Sequence, residues 1–242
     1  MIRSTVVLTL ALCALAAPAQ AGTLTRSGST VTFTAAPGEE NRPILGAGQV
    51  GVSVNDAYTV DPGPGCWIDK DSGSAVCPGD GVTRLVVLLG DEHDVVQTYV
   101  EANVRFPDWL TLVIDGGAGD DEVFGSEHDG DELSGGAGND RVNGGGGKDI
   151  ISGGAGKDRL TGFGRITGGD GDDFIELFDS LRDRWYGSRV SAGAGNDRVL
   201  TGNRKHDVVD CGPGRDRATT TDYPSVQRRY RFKADTFRGC KP

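Results

Sequence analysis

The chain has 242 residues, 39 of them glycine, with 36% hydrophobic residues, a single methionine and a formal net charge of -10. So much glycine and so little apolar content exclude a large conventional core and require thin, layered burial. The acidity excludes nucleic acid and anionic membrane surfaces as partners of the whole molecule and points to cations.

The N-terminus reads as a secretory signal peptide over residues 1–21. Arg3 supplies the positive end, residues 6–17 the apolar stretch, and Ala19-Gln20-Ala21 a small-x-small cleavage site before Gly22. The stretch is too short to span a membrane and no later segment is long enough, so a secreted, extracellular protein without a transmembrane segment is expected. Cys13 falls in the removed part, leaving Cys66, Cys77, Cys211 and Cys240. Secretion and the lack of any CxxC favour the pairs Cys66–Cys77 and Cys211–Cys240 over crossed pairs, free thiols or a zinc site.

Residues 22–114 read as a β-rich segment that caps or continues a solenoid on its C-terminal side. Val31 and Phe33 alternate, as do Val50, Val52 and Val54, then residues 85–89, then Leu110, Leu112 and Ile114. Asp61-Pro62-Gly63-Pro64-Gly65 is a turn leading into the Cys66–Cys77 loop. Near the end of this segment, Asp94 and Val96 occupy the key places of a worn copy of a nine-residue unit.

That unit, GGxGxDxUx with U apolar, governs residues 115–217. Five complete copies end their glycine turns at Asp121, Asp140, Asp149, Asp158 and Asp173, followed two residues later by Val123, Val142, Ile151, Leu160 and Ile175. A degenerate copy keeps Asp131 and Leu133. Residues 162–167 form a truncated copy that keeps Ile166 but has no aspartate, and residues 177–191 are an insertion. Asp197 with Val199 resumes the pattern, with weaker copies at Asp207 and Asp216. Residues 218–242 carry no repeat and are expected to form a C-terminal cap closed by Cys211–Cys240.

Each letter of the unit has a physical reason. Gly117, Gly119, Gly136, Gly138, Gly145, Gly147, Gly154, Gly156, Gly169 and Gly171 permit tight turns and let carbonyl oxygens face inward. The aspartate adds a hard anionic oxygen suited to calcium, and x-U-x is a minimal strand with its apolar residue inside. Stacked coils would align the aspartates in columns, which repel unless cations lie between them. The competing reading of each aspartate is an Asx-type turn residue in a solvated loop.

At these residues the chain resembles the RTX, or haemolysin-type, calcium-binding repeat family. The resemblance implies an all-β, right-handed parallel β-roll (a β-solenoid) with two units per coil and several calcium ions held between turns by aspartates and glycine-loop carbonyls. Calcium ligands are then expected at Asp121, Asp131, Asp140, Asp149, Asp158, Asp173 and Asp197, and at the less complete copies Asp94, Asp207 and Asp216. The ten glycines become carbonyl donors or turn formers. Units two apart become neighbours, giving one column from Asp121 through Asp140 and Asp158 to Asp173. The opposite column, with Asp131 and Asp149, breaks at the truncated unit, and Asp197 and Asp216 restart a column past the insertion.

Many members of that family carry a protease or lipase, but HExxH and GxSxG are both missing here, so no enzyme is expected. The histidines His93, His128 and His206 are expected as solvated turn residues. A groove outside the repeat could draw only on Glu101, Asp108 and Trp109, or on Arg182, Arg184, Trp185, Tyr186 and Arg189. Residues 115–176 hold 15 acidic and 5 basic residues, whereas residues 211–242 hold 8 basic and 3 acidic. The function read from this is a secreted protein whose roll is ordered by calcium, with a structural or surface-interacting role. Its partners are calcium and a cell-surface polysaccharide or protein, and the alternatives are a polysaccharide-acting solenoid enzyme or a calcium-dependent adhesin.

Overall fold

The computed structural model describes residues 21–48, 51–98, 106–128, 130–178, 187–202, 205–220 and 235–241. Residues 1–20, which fall in the expected signal peptide, lie outside them, as do Val50, Glu101, Arg182, Arg184, Trp185 and Tyr186. The described residues contain strands, turns and bends, and among them no helix is long and apolar enough to cross a membrane.

The first strands are β1 (Gly22–Ser27), β2 (Thr30–Thr34), β3 (Ile44–Ala47), β4 (Gly51–Asn55), β5 (Val60–Pro62), β6 (Trp67–Ile68), β7 (Ala75–Pro78), β8 (Arg84–Leu88) and β9 (Val95–Thr98). The array follows with β10 (Thr111–Ala118), β11 (Glu122–Phe124), β12 (Glu132–Ala137), β13 (Arg141–Asn143), β14 (Asp149–Ala155), β15 (Arg159–Gly162), β16 (Gly164–Asp170) and β17 (Phe174–Leu177). It ends with β18 (Arg189–Ala194), β19 (Arg198–Thr201), β20 (Val208–Asp210), β21 (Arg217–Thr220) and β22 (Thr236–Arg238).

From β10 onward the chain alternates between two parallel sheets, even-numbered strands in one and odd-numbered strands in the other. This is a β-roll. Strands are short because glycine turns return after each apolar residue, and successive coils restore the pairing that one unit cannot make alone. In one sheet Ile114, Leu133, Ile151, Ile166 and Val190 stack in register, and in the other Val123, Val142, Leu160, Ile175 and Val199. All are buried, so the core is a double file of side chains. The thin burial demanded by composition takes this form.

Toward the N-terminus the same sheets continue and change character. β8 pairs in parallel with β10 and β2, and β9 with β11 and β3. Beyond them β1–β2, β3–β4, β4–β7 and β6–β7 are antiparallel. Larger side chains fill this end, among them Leu24, Phe33, Leu45, Leu85 and Leu89, and they join the array in one apolar cluster.

Two boundaries differ from expectation. Leu177 closes β17 and residues 189–191 open β18, so the insertion is shorter than 177–191. The tail also keeps a trace of the repeat, since β22 pairs in parallel with β20 and carries Asp235 just ahead of it. No glycine turn flags this strand in the sequence.

Both disulfides join the expected cysteines, Cys66–Cys77 and Cys211–Cys240, at sequence separations of 11 and 29. Loop-closure entropy makes the longer bridge worth about 3–4 kcal/mol and the shorter about 3 kcal/mol. Serine replacement of Cys211 and Cys240 is therefore expected to lower the denaturation midpoint more than replacement of Cys66 and Cys77. The opposite order in calcium-saturated guanidinium titrations would refute this.

Candidate metal centre

The aspartate of each unit sits where the glycine turn meets the next strand, its side chain directed under the turn. Its Oδ1 accepts the main-chain N–H of the aspartate one coil earlier. The bonds run from Asp94 to Asp121 (2.8 Å), Asp121 to Asp140 (2.8 Å), Asp140 to Asp158 (2.8 Å), Asp158 to Asp173 (2.9 Å), Asp173 to Asp197 (2.9 Å) and Asp197 to Asp216 (3.0 Å). Asn41 starts the series by donating its N–H to Asp94 Oδ1 at 2.6 Å.

This corrects the expected layout. Asp197 and Asp216 do not restart a column; they continue the first one, because β17 ends and β18 begins at the opposite edge of the roll. On the first edge the path from inward apolar residue to aspartate never changes length: Ile114 to Asp121, Leu133 to Asp140, Ile151 to Asp158, Ile166 to Asp173, Val190 to Asp197, Val209 to Asp216.

The second carboxylate oxygens carry the chemistry. Oδ2 of Asp94, Asp121, Asp140, Asp158, Asp173, Asp197 and Asp216 is buried and receives no hydrogen bond. A lone buried carboxylate oxygen is costly, and seven in a row are not an accident of one turn. Burial, first of all, raises the carboxyl pKa of Asp121, Asp158 and Asp197 and lifts Asp94, Asp140 and Asp173 to about 7, with neighbouring carboxylates adding to the effect at Asp140 and Asp173. These oxygens need a proton or a cation.

Glycine makes room for either. A β-carbon on Gly116, Gly135, Gly153 or Gly168 would fall 2.3–2.5 Å from Oδ2 of the aspartate in its own turn. These first glycines were missed as site residues although they open every complete unit; Ala192 and Cys211 take the place ahead of Asp197 and Asp216.

The ten glycines expected at the site have a different constraint, and their geometry is that of turn formers. Gly117, Gly119, Gly136, Gly138, Gly145, Gly154, Gly156, Gly169 and Gly171 all have positive φ, and a β-carbon on any of them would strike a main-chain oxygen of the preceding coil. For Gly117 and Gly119 that coil belongs to the worn copy, where the oxygens are those of Gly90 and Glu92. For Gly145 it is the degenerate copy, through the oxygen of Ser126. Gly147 shares the second-edge turn of Gly145 just ahead of Asp149, and what marks it is its φ of +90°. Left-handed backbone and close stacking thus account for these positions without any metal.

The second edge is less regular. Asp131 receives Leu112 N–H on Oδ1 at 3.3 Å and Ser126 N–H on Oδ2 at 2.7 Å, so both its oxygens are satisfied. Asp149 Oδ1 accepts Asp131 N–H at 3.1 Å. The next coil places Gly164 opposite Asp149, and there the column loses its carboxylate. Ser188 follows, accepting Gly164 N–H on its hydroxyl at 3.2 Å, then Asp207 and Asp235. Buried Lys205 places its ammonium 4.2 Å from the centroid of buried Phe163, so an internal cation packs on the turn that lacks the aspartate. Asn41, Ser188 and Asp235 escaped sequence reading because no glycine turn precedes them.

The residue before each first-edge aspartate forms an outer ladder. Asn139 N–H donates to Asp120 (2.7 Å), Lys157 N–H to Asn139 Oδ1 (3.0 Å), Asn196 N–H to Asp172 (2.9 Å) and Arg215 N–H to Asn196 Oδ1 (3.2 Å), while Lys157 Nζ pairs with Asp172 at 3.2 Å. Those N–H donors hold the carboxyls of exposed Asp120 and Asp172 below the usual range. Of the histidines, His93 is exposed as expected. His128 is not a solvated turn residue: it is buried, with Nδ1 2.9 Å from Asp108.

The model of the family described as RTX calcium-binding nonapeptide repeat (4 copies) matches residues 113–128, 129–160 and 161–177. These residues are RTX repeats. No curated protein and no solved structure matches the chain. RTX repeats bind calcium, and the matched residues hold Asp121, Asp140, Asp158 and Asp173 of the first edge. The same hydrogen-bond ladder extends beyond the RTX match to Asp94 on one side and Asp216 on the other. Among the described residues no group of three or more His, Cys, Asp or Glu side chains could hold a metal. One carboxylate per turn amid main-chain oxygens suits a hard, oxygen-seeking ion rather than zinc.

Proposed function

We propose that this is a secreted calcium-binding protein in which calcium along the first edge completes the fold. The ligands on this reading are Asp94, Asp121, Asp140, Asp158, Asp173, Asp197 and Asp216, with main-chain carbonyls of the glycine turns filling the shell. The observation that carries it is the row of buried Oδ2 atoms without donors. Asp149 and Asp207 on the second edge are further ligands, whereas Asp131, with both oxygens bonded, contributes least. The two disulfides support passage through an oxidising compartment.

The residues divide the work. Each Oδ1 fixes the carboxylate by accepting the neighbouring N–H, the first glycine at Gly116, Gly135, Gly153 and Gly168 leaves the other oxygen of Asp121, Asp140, Asp158 and Asp173 accessible to the ion, and the apolar residue two places on anchors the turn to the core. The ion supplies positive charge between coils. Its binding is therefore linked to ordering of the array, with affinity on the order of 0.1–1 mM as in extracellular calcium modules. The role is structural or surface-interacting.

Asp158→Asn tests the assignment, since the amide keeps an oxygen for Asp140 N–H but removes the charge. In calorimetric titration of the full chain, fewer ions are expected to bind and the calcium midpoint to rise several-fold. Exposed Asp172→Asn is expected to leave both nearly unchanged. Equal stoichiometry and midpoint for Asp158→Asn and the parent chain would refute the reading.

A further inference from the structure

The outward side chains of the odd-numbered sheet form a column of cations. Parallel register sets Arg141 beside Arg159, Arg159 beside Phe174, Phe174 beside Arg198 and Arg198 beside Arg217, and an isolated bridge adds Lys241 next to Arg217. The four arginines and Lys241 are exposed. The guanidinium carbons of Arg159 and Arg198 lie 4.7 and 5.6 Å from the Phe174 ring centroid. Among the described residues Arg159 alone of the four arginines has an acidic partner, Glu176 at 3.6 Å.

Strands about 4.8 Å apart bring these like charges into direct opposition, an arrangement that by itself destabilises a sheet. Glu122 stands beside Arg141 where the column begins, and the neighbouring outward column, Asn143, Thr161, Glu176, Leu200 and Thr219, offers no acid besides Glu176. The even-numbered sheet has only one such pair, Arg165 beside Arg189, and Ile150 and Val208 on its two sides end the run there. A cation ridge on a chain of net charge -10 therefore has a local cost that an anionic partner would offset.

We propose that this column is a docking track for a linear carboxylated polysaccharide lying across the strands. Arginine forks bind carboxylates in bidentate fashion, which matches them better than a point charge would. From Arg141 to Arg217 the track covers four strand spacings, about 19 Å, long enough for several sugars. Phe174 divides it into two arginine pairs, which suits a polymer whose acidic and uncharged sugars alternate. Both neighbours of Phe174 place guanidiniums against its ring, so it offers no open face for the base stacking that single-stranded nucleic acid sites use. The track exists only when the coils are stacked, and it goes beyond the calcium reading in naming what the ordered roll holds.

The test uses the full chain in saturating calcium with a hyaluronan oligosaccharide as probe, neutral dextran and single-stranded DNA as comparisons, and calorimetry as readout. Hyaluronan is expected to bind, less tightly as salt rises. Arg159→Gln with Arg198→Gln is expected to weaken it about tenfold or more, the equivalent of losing two charge-assisted contacts. The same substitutions at Arg165 and Arg189 on the other sheet are expected to leave it unchanged. Calcium stoichiometry and circular dichroism of each variant, measured in parallel, separate loss of the track from loss of the roll. Undiminished binding by the Arg159/Arg198 variant, equal loss in the Arg165/Arg189 variant, no hyaluronan binding by a calcium-ordered chain, or DNA binding as tight as hyaluronan would each overturn the proposal.

Discussion

In excess chelator at neutral pH the chain is expected to lose most of the far-ultraviolet circular dichroism of its array and to regain it at millimolar calcium. Seven buried Oδ2 atoms lack donors, and an unsatisfied buried polar group costs about 1–3 kcal/mol, more when charged. Summed, that is about 7–20 kcal/mol, against a total stability of about 5–15 kcal/mol for a folded domain. The array cannot absorb such a deficit without a cation. The antiparallel N-terminal strands, with large buried side chains and the Cys66–Cys77 bridge, are expected to retain structure.

Acid offers the metal-free array a second escape. Asp94, Asp140 and Asp173 reach about 7 in the fold, chiefly through burial, whereas an unfolded aspartate titrates near ~3.9. The folded array then holds protons that the unfolded chain has released. That contribution is fully present below about pH 4 and is lost as pH rises through about 7. Chelated protein at about pH 5 is therefore expected to show more β signal than at about pH 8, and the calcium midpoint should rise as pH falls across the same window. A chelated chain with equal β content at both pH values, matching that of the calcium form, would sink this account.

Gly154→Ala is expected to be as severe as calcium removal while leaving every carboxylate in place. Gly154 has φ of +121°, and a β-carbon there would lie 1.9 Å from the carbonyl oxygen of Gly136. Neither group is a flexible side-chain end, so the coils must separate, taking with them the 2.8 Å bond from Asp140 N–H to Asp158. The loss should exceed about 3 kcal/mol, combining backbone strain with a broken stack. Gly28→Ala is the comparison, because its φ of +59° meets nothing within 4 Å and its cost should be about 1 kcal/mol. Calcium-saturated denaturation would decide, and equal midpoints for the two variants would show that stacking contact is not what fixes glycine here.

The repeat was legible because every letter of it is a local constraint. Glycine followed by aspartate and an aliphatic residue specifies a turn, a hard oxygen and an inward strand residue wherever it occurs, so Asp121 to Asp173 could be placed in a column once the RTX resemblance implied two units per coil. Stacking across the insertion was not legible. Nothing local to Asp173 or Asp197 says that they stack on consecutive coils, and the pairing of Ile175 with Val199 and the bond from Asp173 N–H to Asp197 settle it. Asp235 was hidden for a related reason, since its strand is recruited by the coil beneath it, without a turn of its own. His128 was misjudged because its polarity suggested solvent, while the partner that allows its burial, Asp108, lies far away in sequence.

The fixed spacing on the first edge leaves length variation to the other side. Along the first edge successive aspartates are 19, 18, 15, 24 and 19 residues apart, yet their ladder is unbroken, so every gain or loss is taken up across the roll. New segments can accordingly be grafted at the second edge without disturbing the spacing of the ions. A lineage of such proteins could vary what it displays while inheriting its calcium requirement intact.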